Sequence, residues 1–184
     1  MFVGHYAVSY AVKAADRRLS LGLLFLAVQA VDVAWAVLVL AGVEKVRIVP
    51  GIIGRPRHDL RVPLLVGLAV ASHWFLDLIV HRPDLPLYGN AAKVGLGLWN
   101  FPAPAFLLEI GLLVLAIGYG WRRGVVRGRG PWIFAGVLAA TQAMVFFGAP
   151  PASPAAAAAT ALAAYFAFAG VAEWLDRRLA RAAG

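Results

Sequence analysis

The chain contains no cysteine, which excludes disulfide staples and thiolate metal sites and leaves the redox compartment unreadable. Charge is scarce too, at 14% of residues, and acidic charge scarcest, with nine Asp and Glu against 17 Lys and Arg and a net charge of +8. An average soluble domain is about a quarter charged and about half apolar. Here 62% of residues are hydrophobic and mean hydropathy is +0.79, the composition of an integral membrane protein. Neither G-x-S-x-G nor H-E-x-x-H occurs, which removes the commonest serine hydrolase and zinc peptidase signatures. The basic residues fall in short clusters between apolar runs, so no long basic face is left for a duplex and nucleic acid is excluded as a partner. No internal repeat and no separate domain are visible.

What is present is a series of apolar runs. Residues 2–15 are apolar but too short to cross, since a full span needs about 20 residues; they predict a short, partly inserted helix with His5 and Ser9 on one face. Arg17 and Arg18 precede the first clear span, Leu19–Val43. A positive start, an apolar stretch and Ala34-Trp35-Ala36 imitate a signal peptide, but the run continues past a typical h-region, as a retained helix does. Further spans follow at Pro63–His81, Asn100–Gly120, Trp132–Ala149 and from about Ser153 to Leu175. The third is bracketed by Trp99 and Trp121, placed as interfacial aromatics. The last is rich in alanine, which lets helix backbones approach closely inside a bundle or against a partner. The fold class is therefore an all-α, polytopic transmembrane bundle, a single domain over 1–184 with five spans and a short N-terminal helix.

Basic residues orient it. Lys45, Arg47, Arg55, Arg57 and Arg61 lie in the 44–62 loop, Arg122, Arg123, Arg127 and Arg129 in the 121–130 turn, and Arg177, Arg178 and Arg181 in the tail. Five spans put these 12 of 17 basic residues on one side, which the positive-inside rule makes cytoplasmic. Lys13, Arg17, Arg18, Arg82 and Lys93 then fall on the other, so Lys13–Arg18 stays outside unless the N-terminal helix also crosses.

Three acids fall inside spans: Asp32, Asp77 and Glu109. Residues four apart share a helix face, so His73, Asp77 and His81 form a polar stripe in Ser72–Tyr88 (SHWFLDLIVHRPDLPLY). Ionisable groups at bilayer depth mark sites by default. Neutral imidazole with carboxylate suits zinc, manganese or iron. His73 and His81 are two turns apart, about 12 Å, too far to share one ion, so the pairings are His73 with Asp77 or Asp77 with His81. A divalent metal there activates water for hydrolysis, with a spare carboxylate, Asp32, Asp77 or Glu109, as general base. Plainer readings stand beside these: each acid as a protonated interhelical hydrogen-bond donor, His5 as a satisfied or headgroup-facing histidine, His58 as solvated, His81 as hydrated at the boundary, and the basic clusters as topology determinants that touch lipid headgroups. Gly95-Leu-Gly97 follows no strand in this reading, so it is discounted as a phosphate loop.

The opening MFVGHYAV, the VDVAWAVLVLAGVEKVRIVPGI stretch, SHWFLDLIVHRPDLPLY, and KVGLGLWN followed by Glu109 resemble a bacterial inner-membrane family described as membrane-bound metal-dependent hydrolases. The resemblance covers roughly residues 1–115, is strongest over 72–100 and fades through the last two spans. It implies a multi-pass protein of the bacterial inner membrane with metal ligands His5, His73, Asp77 and His81, with Asp32 and Glu109, and extends to Asp84. Relatives carry a further apolar helix, opening with a Ser-His-Ser type motif, between the VRIVPG stretch and the SHWFLD helix. Here Pro50-Gly51 runs almost directly into Arg55–Arg61 and that helix is absent, which removes one candidate histidine ligand. Two functions follow. One is a metal-dependent hydrolase acting on a lipid-borne ester or phosphoester. The other is a non-catalytic accessory or scaffold subunit that packs among other membrane subunits. A transporter fits less well without a repeat.

Overall fold

The computed structural model describes residues 2–42, 61–88 and 91–181. Most of the basic 44–62 loop, His58, and the stretch where the sequence resemblance implies a further helix lie outside the described residues. The elements are α1 (His5–Ala15), α2 (Leu21–Val28), α3 (Ala30–Leu40), α4 (Arg61–Val80), a hairpin of β1 (Leu85–Tyr88) and β2 (Ala91–Val94), a 3-10 turn (Leu98–Asn100), α5 (Pro102–Arg122), α6 (Gly130–Phe147) and α7 (Pro154–Arg181). Four helices, α4 to α7, are long and apolar enough to cross a membrane, five crossings if α2 and α3 count as one broken span. The protein is an all-α, multi-pass membrane bundle, and its one sheet among the described residues is the small antiparallel hairpin, with Leu85 opposite Val94.

The prolines sit where helices begin. Pro102, Pro131 and Pro154 occupy first turns, where the missing N–H would have had no helical partner. Large apolar side chains such as Leu64, Phe75, Leu107, Leu115 and Ile133 project outward, as a lipid-facing surface requires.

The centre of the bundle is α1. His5, Tyr6, Ser9 and Tyr10 are buried, so this helix is a central post and not a headgroup-level segment. Tyr6 stacks on Phe25 with ring centroids 4.2 Å apart, and Phe25, Phe134 and Phe168 continue the aromatic core through α2, α6 and α7. A helix N-terminus buried this deeply needs acceptors for its free N–H groups. Glu109 of α5 supplies them: its Oε2 accepts from Phe2 N–H at 3.0 Å and Gly4 N–H at 3.1 Å.

From that start, the 11 residues of α1 rise about 16 Å, roughly half a bilayer, to one face of the bundle. There Lys13 Nζ donates to Asp176 Oδ2 at 2.6 Å and to the Leu19 carbonyl at 2.7 Å. Arg17 donates to the Arg123 carbonyl and Arg61 to that of Ala15. Lys13–Arg18 therefore shares the face of the 121–130 turn and the tail, which corrects the placement expected from counting five alternating spans. The reason is that Arg61, at the start of α4, lies at this same face beside Ala15, so the broken α2–α3 pair does not separate Lys13–Arg18 from the start of α4 as one straight span would. Only Arg82 and Lys93 of the described basic residues are left toward the other end.

The first span differs from expectation as well. It breaks at Gln29, where α2 and α3 meet at 60°. The N-terminus of α2 is capped by Ser20, which accepts from Leu23 N–H at 3.0 Å, and sits against α7, whose Glu173 and Asp176 accept from Gly22 and Leu21 N–H. Gly22 allows this approach, since a Cβ there would lie 2.7 Å from the Ala169 carbonyl oxygen.

Candidate metal centre

The break at Gln29 positions the site. Gln29 Nε2 donates to the Phe2 carbonyl at 3.0 Å, tying the bend to the start of α1. The last carbonyl of α2, that of Val28, turns to His73 of α4 and accepts from its Nδ1 at 2.7 Å. A carbonyl can only accept, so Nδ1 carries a proton, and in the neutral ring Nε2 then presents its lone pair. This is how metal-ligating histidines are commonly oriented.

His73 Nε2 lies 3.1 Å from Asp77 Oδ2 and 3.5 Å from Asp32 Oδ1. His5 stacks on His73, ring centroids 4.0 Å apart, and its Nε2 is 3.2 Å from the other Asp77 oxygen, Oδ1. Two atoms bound tetrahedrally to one zinc ion at about 2.0–2.1 Å lie about 3.3 Å from each other. The three separations fall around that ligand-to-ligand edge; 3.1 and 3.2 Å equally suit N–H···O hydrogen bonds, whereas 3.5 Å is too long for a good one. One ligand atom each from His5, Asp32 and His73 also falls within a 4.8 Å group that can hold a metal ion. Three helices, α1, α3 and α4, thus bring together His5, Asp32, His73 and Asp77. The donor set is two imidazoles and two carboxylates without sulfur, suited to zinc or manganese. The residues present fit such an ion.

His81 stands further off. Its Nε2 is 3.7 Å from Asp77 Oδ2, while its Nδ1 is 3.0 Å from Asp84 Oδ1 and its ring packs 4.3 Å from that of Trp99. An ionised Asp84 accepts the Nδ1 proton and leaves Nε2 facing inward. On α4 Asp77 thus lies between the two histidines, 3.1 Å from His73 Nε2 and 3.7 Å from His81 Nε2.

The segment after β2 fixes this end of α4. Leu96 N–H donates to the Leu78 carbonyl at 2.8 Å and Gly97 N–H to that of His81 at 2.7 Å. Gly95 makes the approach possible, because a Cβ there would collide with the His81 and Arg82 carbonyls. Gly95-Leu-Gly97 is a clamp on a helix C-terminus, and it does follow a strand.

Asp32, Asp77 and His81 open onto a cavity of about 530 Å³ between α3, α4, α5, α6 and α7. Glu109 also lines it but is committed through Oε2 to the start of α1. Three polar residues of the site were not anticipated. Tyr165 donates its hydroxyl to Asp32 Oδ2 at 3.3 Å, Gln142 reaches the cavity from α6, and Gln29 forms the bend. Each is a polar side chain in an apolar run, which was the available signal. No family model matches the chain, and no curated protein or solved structure matches it either.

Proposed function

We propose that the protein is a metal-dependent hydrolase of the bacterial inner membrane that cleaves an ester or phosphoester carried by a lipid. The observation that carries the reading is His73. Its Nδ1–H is committed to the Val28 carbonyl, so in the neutral ring the Nε2 lone pair faces the carboxylates of buried Asp77 and half-buried Asp32. Facing lone pairs repel unless a cation lies between them. A proton relieves one such contact, whereas a divalent ion relieves those of His5, Asp32, His73 and Asp77 together. When bound, zinc or manganese supplies Lewis acidity toward a phosphoryl or acyl oxygen.

The chain's own residues account for the rest. His81, oriented by Asp84, is placed to take a proton at Nε2 and return it to a leaving group. Tyr165 and the Val28 carbonyl orient the ligands Asp32 and His73. Trp35 and Phe146 line the cavity from α3 and α6 and give it an apolar wall for an acyl chain. The cavity lies toward the end of the bundle remote from the basic face, which the positive-inside rule assigns to the outer leaflet. The resemblance to membrane-bound metal-dependent hydrolases supports the same reading.

Hydrolysis of ester and phosphoester lipids in mixed micelles tests it, with zinc or manganese and with a chelator. Chelation and Asp77→Asn are expected to abolish turnover, and His81→Gln to slow it about 10²–10⁴-fold. A metal-loaded protein inert on both lipid classes would contradict the proposal.

A further inference from the structure

A second cavity, of about 180 Å³, opens on the basic face between the end of α1, the turn after α5 and the last turns of α7. Lys13, Arg17 and Arg127 line it against a single acid, Asp176. That acid is already matched: its Oδ2 accepts from Lys13 Nζ at 2.6 Å and from the Leu21 N–H at 3.2 Å. Two guanidinium groups remain. Arg17 and Arg127 come from different segments, yet the Nη2 atoms of both lie 3.5 Å from the point where a Cβ on Gly124 would stand, so at most twice that distance separates them. Among the described residues neither meets a carboxylate within ion-pair distance. Arg17 donates to the Arg123 carbonyl at the C-terminus of α5, a favourable place for a cation, and is held there. That contact uses one of five N–H donors and gives no reason for Arg127 to converge on the same spot. Like charges brought this close repel, and an anion between them turns the repulsion into attraction.

The depth of the cavity selects the anion. Trp121 near the end of α5 and Trp174 in α7 are each about half exposed, placed as interfacial aromatics. Gly124 lies one turn beyond Trp121, and Leu179 and Ala180, which also line the cavity, lie between one and two turns beyond Trp174. The cavity therefore opens at headgroup level. We propose that it binds the phosphate of an anionic lipid headgroup, with Arg17 and Arg127 donating to the phosphate oxygens. A guanidinium matches phosphate geometry with two parallel N–H···O bonds. Leu179 and Ala180 give the glyceride end an apolar side. A headgroup with its own ammonium brings a further cation beside the two arginines and is disfavoured. The site lies at the end of the bundle away from the metal cluster and stands whether or not that cluster is catalytic.

The test is binding of matched-chain phosphatidylglycerol and phosphatidylethanolamine to the full-length protein in detergent, read by native mass spectrometry, with inorganic phosphate as competitor. Two basic residues at a membrane surface correspond to a preference for phosphatidylglycerol of at least about tenfold. Arg127 is exposed, so Arg127→Gln leaves the packed core untouched. It should bring the ratio within about threefold, and Arg17→Gln, the second variant, should do the same. Arg129→Gln is the control. It removes the same charge from the same turn, but Arg129 does not line the cavity, so the wild-type ratio should persist. Equal binding of the two lipids to the wild type overturns the proposal. So does an equal loss in Arg127→Gln and Arg129→Gln, which is the behaviour of a diffuse basic surface. Displacement of the lipid by inorganic phosphate at equal concentration keeps the phosphate site and overturns the lipid as its ligand.

Discussion

Replacing Gly95 by alanine probes how His81 is held at the cavity mouth. The new Cβ would collide with the main-chain carbonyls of His81 and Arg82, so the 95–97 segment must move away from α4. That movement breaks the Leu96–Leu78 and Gly97–His81 hydrogen bonds and leaves two helix carbonyls without those partners. At about 0.5–1.5 kcal/mol net per bond, plus the cost of unsatisfied acceptors, the expected loss is about 2–4 kcal/mol. For a chain of this size that corresponds to a fall in Tm of about 5–15 °C. Thermal unfolding of the purified protein in detergent, followed by circular dichroism, gives the number. Gly118→Ala in α5 is the control, because a Cβ there meets nothing within 4 Å; it should be neutral or stabilising by up to about 1 kcal/mol. A Gly95→Ala protein melting within 2 °C of wild type (against the shift of about 5–15 °C expected) would refute the clamp.

Other outcomes follow from the same contacts. Lys13→Met leaves Asp176 largely buried without its ammonium, so it should cost up to about 3 kcal/mol, and Lys13→Met/Asp176→Asn should recover part of that in the same melting assay; a neutral single variant contradicts the pairing. The Arg18 guanidinium beside Asp16 holds its carboxyl down at about 2. Its contribution to stability is therefore complete above the ordinary Asp value of about 3.9 and is lost as pH falls toward 2. Asp16→Asn should flatten the acid limb of the stability curve, and superimposable curves rule that out. Because the chain has no cysteine, single cysteines report topology directly. Cysteines replacing Arg17 and Arg178 should label from one side of the membrane and one replacing Lys93 from the other; labelling of the Arg17 position together with Lys93 would reverse the account of α1.

The bundle was legible because apolar length and proline position determine where spans start. Helices α4 to α7 begin and end within a few residues of the runs that mark them, except that α7 continues to Arg181. Asp32, His73 and Asp77 were legible for the same reason, as charged groups that lipid does not tolerate. What the pattern could not supply was tertiary. Nothing local marks residues 2–15 as the buried centre, since that follows from the Glu109 carboxylate capping a helix 105 positions away in sequence. The 60° bend at Gln29 lies in an unbroken apolar run without proline, and it depends on the Gln29 side chain reaching Phe2. The stripe along α4 suggested that His81 serves as readily as His73, but Asp84 and Trp99 draw it toward the cavity mouth. Gly95 and Gly97 carry a backbone contact that no periodicity encodes.

The divalent ion proposed for the His5, Asp32, His73 and Asp77 cluster can be counted. Elemental analysis after loading with zinc or manganese and removing excess metal tests it most directly, comparing the full-length protein with a His73→Ala/Asp77→Ala variant of intact helicity. About one equivalent per chain is expected in the wild type and a small fraction of that in the variant. Sub-stoichiometric metal in both proteins would contradict the account.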